Sequence, residues 1–467
     1  VTCGTDEIMM AGDTSRAANP LAYAAIEGDV TVDAGAIPIV PSIPYRAWNE
    51  KTRQMEDRVC MHYEIVTNAT ATFEGGQWYV VTGKVSTVNL TVNGSAYLIL
   101  CDDATLTATG EIGFAGVSVS SGSSLSIFGQ EKESGCLSAK GVQHGAGIGG
   151  CDKVGRDCGE ITIDGGTVTA TGGLFGAGIG SDESAVGGAV TIHGGMVTAH
   201  GGHGSAGIGG GISGAGGTVT IDGGTVTATG NIGSAGIGSG WQGADGGTVT
   251  INGGTVTAEG GKRGAGIGGG NCGTGGTVTI NGGWVVAIGN NDAGKGIGGG
   301  CAVSGGTVNI TGGTVESYGW NALDLGETVM IDGGNVKSRL CESQPTNEKD
   351  ALLCRVRVRC PGLEGLVSLE GLEGYGTNDI YPIDGCVYLW LPRGTHRFAL
   401  SDGEKALRYC AIVNKWDFDI TVEPLPPVVD IGFFVNGVDI GSSSSGPGWT
   451  YGENNVLSLD GNGPFVL

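Results

Sequence analysis

Between residues 160 and 331 the chain alternates apolar and polar side chains in short runs such as "EITI", "TVTI" and "TVTA", most of them followed within one residue by Gly-Gly. Alternation at period two marks a β-strand with one buried face. In one copy Val219 and Ile221 point one way, Thr218 and Thr220 the other, and "TVTA" at 225–228 repeats the pattern. Gly-Gly falls between runs, where the chain turns sharply and a Cβ would clash.

The runs recur with a fixed period. The residue closing each "TI"-type run falls at Asp164, His193, Asp222, Asn252, Asn281, Thr311 and Asp332, in steps of 29, 29, 30, 29, 30 and 21. The isoleucine of "AGIG" or "KGIG" falls at Ile148, Ile179, Ile208, Ile237, Ile267 and Ile297, in steps of 31, 29, 29, 30 and 30. Two independent markers with one period define a repeat array. Three short strands and three turns in about 30 residues make one coil of a parallel β-helix, taken as right-handed from general precedent. Coils rise ~4.8 Å each, and their Val, Ile and Ala ladders form a core that no single coil closes. The reading requires Ile208, Ile237 and Ile267 to be neighbours in one interior. A helical alternative fails, because each Gly-Gly pair would cost ~2 kcal/mol relative to alanine.

The predicted fold is therefore all-β. An arm and first strands occupy 1–61, and the solenoid occupies 62–345, with less regular coils at 90–110 and 123–141. Beyond it, "ALLCRVRVRC", "CVYLWLPRGTHRFAL" and "FDITVEPLPPVV" are longer alternating runs without the period. They predict a small antiparallel β-sandwich over 346–427 that closes one end of the stack. Residues 428–467 read as the start of a further β domain or an open edge.

Glycine numbers 96 of 467 residues, about three times its usual share. With 13 prolines, no Gly-X-Y period and 39% hydrophobic residues, neither collagen nor a disordered linker fits. The net charge of −23 offers nothing to offset phosphate repulsion, so nucleic acid and anionic lipid are not expected partners. No apolar run reaches the ~18 residues of a membrane span, so no membrane insertion is expected. The opening "VTCGTDEIMM" lacks signal-peptide character, leaving a mature exported chain or a chain that is not exported.

The 13 cysteines show no zinc-like CxxC spacing. They read either as scattered buried thiols or as disulfides of an exported protein. In the second reading Cys272 and Cys301, near-equivalent in adjacent coils, approach bonding distance. Cys151 and Cys158 bracket one loop, and Cys354, Cys360, Cys386 and Cys410 supply two bridges. Cys354 and Cys360 are not partners if "RVRV" between them is extended, since the span is then ~20 Å. The odd count leaves one thiol over, with Cys3 the candidate.

The array "GGTVTATG…AGIGGG", with Trp78–Val81 and Leu98–Ala108 before it and Gly374–Thr395 after it, resembles a group of Gly/Thr-rich β-helix repeat proteins of gut-type anaerobic bacteria. These are described as carbohydrate-binding-domain-like or adhesin-like surface proteins. The resemblance covers about three quarters of the chain and implies an extracellular or cell-surface location, with a binding or structural role. It carries no catalytic residues over.

Chemistry is sought by comparing the same position in successive coils. β-Helix lyases and glycoside hydrolases need clustered carboxylates, often with Ca²⁺. The turn column places no two acids on adjacent coils: Asp164 and Asp222 stand two coils apart, ~9.6 Å, with His193 between. The outer column Thr171, His200, Thr229, Glu259, Ile288, Tyr318 has one acid. No catalytic or metal residues are assigned and no cofactor is expected; Ca²⁺ lacks stacked carboxylates, and His193, His200 and His203 form only a loose group. The regular "TxT" columns resemble ice-binding faces, interrupted by Met196, Trp284, Val286, Asn309 and Glu316. Sugar binding rests on aromatic faces that pack on pyranose rings, for which Trp241, Trp284, Tyr318 and Trp320 are the candidates. The "GAGIGGG" face reads as glycine turned outward, open to lateral or end-to-end self-association. The expected function is adhesive or structural, through a glycan or further copies of the chain; the rival is a polysaccharide-degrading enzyme.

Overall fold

The computed structural model describes residues 42–425, apart from 243–244, 291–293, 302–304, 320–327, 339–343, 378 and 415–418, together with short strands at 2–3, 6–7 and between 434 and 459. From Glu64–Ile65 to Asn335–Ser338 the chain winds through three parallel sheets, one for each run of the repeat. The "TVTI" sheet has 11 strands, the "TVTA" sheet 10 and the "AGIG" sheet 9.

Register follows the repeat. Ile179, Ile208, Ile237, Ile267 and Ile297 pair in succession, as do Val219, Val249 and Val278. Each coil sends the same set inward, for example Val219, Ile221, Val226, Ala228 and Ile237, all at most 1% exposed. A buried Val or Ile contributes roughly 1.5–3 kcal/mol, and these ladders join into one core running the length of the stack. The second glycine of each Gly-Gly between a "TVTI" strand and the "TVTA" strand that follows it is left-handed. At Gly224 φ is +78°, and an added Cβ would lie 2.7 Å from the Gly195 oxygen one coil away.

The glycine face departs from expectation. Its glycines are buried, not turned outward. At Gly238 (φ +137°) an added Cβ would meet the Gly268 oxygen at 1.9 Å. Glycine is needed here because the next coil already occupies the space, so this strand offers no bare exterior for a second chain.

An N-terminal hairpin, Ile43–Asn49 with Gln54–Cys60, lies on the outside of the first coils. Tyr45 packs 5.0 Å from Trp78 and 5.1 Å from Phe128, and Trp78 stacks on Tyr97 at 4.7 Å. The module after the solenoid consists of two three-stranded sheets. One, Ser368–Glu370, Gly394–Ser401 and Ala406–Val413, is antiparallel. In the other, Leu353–Arg359 runs antiparallel to Cys386–Pro392 but parallel to Asp419–Val422, so the expected all-antiparallel sandwich is corrected to a mixed one. The hairpin 394–413 spends two strands in the opposite sheet and returns the chain in the starting direction. The module has its own core, yet Leu353 and Trp390 belong to the solenoid core, and solenoid and module form one compact unit ending at Glu423. Residues 424–467 form a separate unit containing short antiparallel pairings.

Candidate functional site

In-register stacking brings the turn residues of successive coils close enough to bond. Asn252 Nδ2 donates to Asp222 Oδ1 (2.7 Å), Asn281 Nδ2 to Asn252 Oδ1 (2.8 Å), and Thr311 Oγ1 to Asn281 Oδ1 (2.7 Å). At the N-terminal end His193 Nδ1 lies 2.7 Å from Asp164 Oδ1, and its Nε2 lies 3.5 Å from Asp222 Oδ2 and 3.7 Å from Glu50 Oε1. The Trp48 indole stacks on the imidazole at 4.9 Å, while the Trp48 N–H donates to Asp164 Oδ2. His193 is 8% exposed. The acid–His–acid row thus serves as the anchor of the hairpin, sealed beneath Trp48.

The C-terminal module grips the same ladder further along. The Gly283 N–H donates to Asp379 Oδ2 (2.7 Å), Thr314 Oγ1 donates to the Asp379 carbonyl (2.8 Å), and the Tyr381 N–H donates to Thr314 Oγ1 (2.7 Å). These bonds set Tyr381 against Trp284, ring centroids 5.5 Å apart and 21° from parallel. Trp284 stands outward because it takes the place of Thr225 and Thr255 in its column. Two hollows lie along this seam. One, about 360 Å³, is lined by Trp284, Tyr381, Pro382 and Glu364; the other, about 720 Å³, by Asn252, Ser368, Thr377, Asp379 and Asp402. The first offers an aromatic patch and the second a row of hydrogen-bonding groups.

The predicted aromatics do not form one site. Trp284 and Tyr318 meet through Glu316, which accepts from Trp284 Nε1 (3.3 Å) and from the Tyr318 hydroxyl. Both rings remain half-buried. The Tyr318 ring also carries Lys337 Nζ at 5.7 Å, and Lys337 is paired with Asp384 at 2.7 Å. Trp241 belongs to the loop after the "AGIG" strand, another corner of the coil, edge-on to His203 at 6.1 Å. Trp320 lies outside the described residues. Sequence reasoning missed Trp48, Asp379 and Tyr381. The last two sit in "GYGTNDIY" (374–381), a stretch that stood out only by resemblance.

The expected disulfides are corrected: no S–S bond joins any two of the 11 described cysteines. Cys158 is part of the solenoid core, where burial pushes its thiol up to about 12. Cys151 instead lies 3.4 Å from Ser118 Oγ. Cys272 is exposed and Cys301 half-buried. Cys354 and Cys386 sit at opposite ends of their ladder, opposite Leu391 and Arg359 respectively, some 16 Å apart along the strand. Cys360 is buried in the module core, whereas Cys410 lies outside it. Cys3 falls in a short strand whose side chains are not described.

One buried acid lies away from the groove. Asp182 is fully buried, and its Oδ2 has no hydrogen-bond partner; Arg156 Nε is 4.0 Å from it, and His144 Nδ1 is 3.9 Å from Oδ1. Burial raises its carboxyl from 3.8 to about 6. A raised folded-state value means the folded protein holds this proton more tightly. The contribution to stability is complete below the unfolded value and is lost as pH rises through about 6. Asp182→Asn keeps an acceptor for the Glu183 N–H, which now donates to Oδ1 at 2.6 Å. Urea unfolding is expected to show the variant about 2–3 kcal/mol more stable relative to wild type at pH 7 than at pH 4. An unchanged pH slope would refute the assignment.

The family described as "Beta helix repeat" matches residues 161–183, 190–212, 219–241 and 249–271. No curated protein and no solved structure matches the chain. Over those four coils the chain is similar to the repeat family, and its fold is a parallel β-helix.

Proposed function

We propose that the protein binds carbohydrate through the seam groove and acts as an adhesive component outside the cell or at its surface, without cleaving the glycan. The observation that carries this is the Trp284–Tyr381 pair bordering one hollow of the seam between solenoid and module, with Asn252, Ser368, Thr377 and Asp379 lining a second hollow of that seam. Indole and phenol faces pack on the apolar faces of pyranose rings, and the surrounding polar groups suit sugar hydroxyls. Binding is favoured over cleavage because the two acids of the second hollow are tied to the backbone, Asp379 Oδ2 accepting from the Gly283 N–H and Asp402 Oδ1 from the N–H groups of Glu404 and Lys405. The location follows the resemblance to surface proteins. Self-association through the C-terminal end of the stack is a weaker reading, since Leu353 and Trp390 cover that end of the core.

The test is a panel of neutral β-linked oligosaccharides, followed by calorimetry and product analysis. Binding without new reducing ends is expected. Trp284→Ala is expected to weaken it about 10- to 100-fold, the loss of roughly 1.5–3 kcal/mol of ring contact. Full affinity in that variant would place binding elsewhere, and released products would establish the enzyme reading instead.

A further inference from the structure

We infer that Glu316 is a positioning residue of the seam site, fixing the Trp284 indole in the orientation a sugar ring stacks on; this rests on the carbohydrate-binding reading above. On successive coils the outward column of the "TVTA" sheet carries Thr169, Thr198, Thr227 and Thr257, then Val286, Glu316 and Lys337. Threonine suits an exposed strand position better than glutamate does, so the strand alone does not account for Glu316. Although it stands on the outer face, its side chain is only 13% exposed. A carboxylate withdrawn from water needs partners, and three surround it. The Trp284 Nε1–H donates to Oε1 at 3.3 Å, the Tyr318 hydroxyl donates to Oε2, and Lys337 Nζ lies 3.6 Å from Oε2. Burial and the bond to Glu316 push the Tyr318 hydroxyl above its ordinary value, so it remains a donor. Lys337 also pairs with Asp384 of the module at 2.7 Å, which braces the cluster from both sides of the seam.

Trp284 pairs with Thr314, two residues before Glu316 on the next coil. Diagonal neighbours of that kind are within reach of an indole and a long acid side chain. The indole is thus held at two places, its N–H edge by Glu316 and one face by Tyr381, whose ring lies 21° from parallel. Its remaining surface is left to the hollow that both rings line. A free indole on a strand surface turns about two side-chain bonds, and ordering it when a ligand binds costs affinity. Glu316 removes that cost in advance, acting through Trp284 and not by touching the sugar.

The experiment combines calorimetry on the tightest-binding member of the neutral panel, with cellotetraose and fully N-acetylated chitotetraose as first probes, and the Trp284 Nε1–H signal in nitrogen–proton spectra, assigned by its loss in Trp284→Phe. Glu316→Thr restores the residue of the preceding coils and is too short to reach the indole, whereas Glu316→Gln keeps an acceptor for it. Glu316→Thr is expected to weaken binding about 3- to 10-fold and to move the Trp284 N–H signal. Glu316→Gln is expected to stay within about twofold of wild type, with the signal near its original position. In the Trp284→Phe background, where there is no N–H to hold, Glu316→Thr is expected to change affinity by less than about twofold. Wild-type affinity in Glu316→Thr, an equal loss in Glu316→Gln, or an equal loss in the Phe background each overturns the inference. In those outcomes Trp284→Ala still decides the carbohydrate reading by itself. If no member of the panel binds, that reading falls and this inference with it.

Discussion

Gly238→Ala is expected to destabilise the solenoid by about 3–5 kcal/mol, far more than an alanine at an open glycine such as Gly76. Two costs combine. At φ +137° a side chain is strained by roughly 1–3 kcal/mol. The new Cβ would also stand 1.9 Å from the Gly268 oxygen, so the coils must separate locally. That movement stretches the bonds from the Gly210 N–H to the Gly238 oxygen (2.9 Å) and from the Ser239 N–H to the Gly268 oxygen (3.0 Å), each worth about 1 kcal/mol. Gly76 is the control: φ is +79° and nothing lies within 4 Å of an added Cβ, so Gly76→Ala should cost only the left-handed strain of about 1–2 kcal/mol. Urea unfolding of both variants checks the contrast. Equal effects would mean that the "AGIG" strands do not stack as described. The same close approach recurs at Gly149, Gly180, Gly209 and Gly268, where an added Cβ would fall 1.9–2.2 Å from the next coil's oxygen. That recurrence explains why "IG" repeats so strictly along the chain.

The solenoid was legible because stacking imposes identity. Ile237 must resemble Ile208 and Ile267 to fill one ladder, so the period of the text is the period of the coil. The same logic placed His193 between Asp164 and Asp222 before any contact was known. What lay outside the repeat was harder to read. The role of Trp48 depends on a hairpin folding back over a coil more than a hundred residues away, and no local pattern records that. Tyr381 becomes a partner of Trp284 only because Thr314 and Gly283 hold the 379–381 segment. The glycine strand misled for a different reason: a missing side chain reads alike whether it faces solvent or a neighbouring backbone, and only the positive φ and the 1.9 Å approach at Gly238 distinguish the two. The cysteine pairings failed because separation in sequence says little about side-chain direction; Cys158 points into the core while Cys151 meets Ser118.

Trp390→Ala should open the C-terminal end of the core, at a cost of about 3–5 kcal/mol for a truncated buried indole. Trp390 is 6% exposed and packs on the last coils, and its Nε1–H donates to the Val336 carbonyl at 3.0 Å. In a stack where each coil touches only its neighbours, such damage is local. Hydrogen exchange should therefore quicken first in Thr328–Ile331 and Asn335–Ser338, while strands near Val219 and Ile221 keep their protection. The loss also exposes Val336, fully buried in the intact protein, on the strand Asn335–Ser338, whose outer edge meets no further solenoid strand among the described residues. An uncovered edge of that kind invites pairing with another chain, so the variant should self-associate in sedimentation runs as concentration rises. Trp390→Phe separates the two contributions. It keeps most of the apolar cover and loses mainly one hydrogen bond, about 1 kcal/mol, and should remain in the wild-type association state. If Trp390→Ala instead loosened every coil alike, or left exchange unchanged, the module would not be the lid of the solenoid, and the seam groove built on their contact would lose its frame.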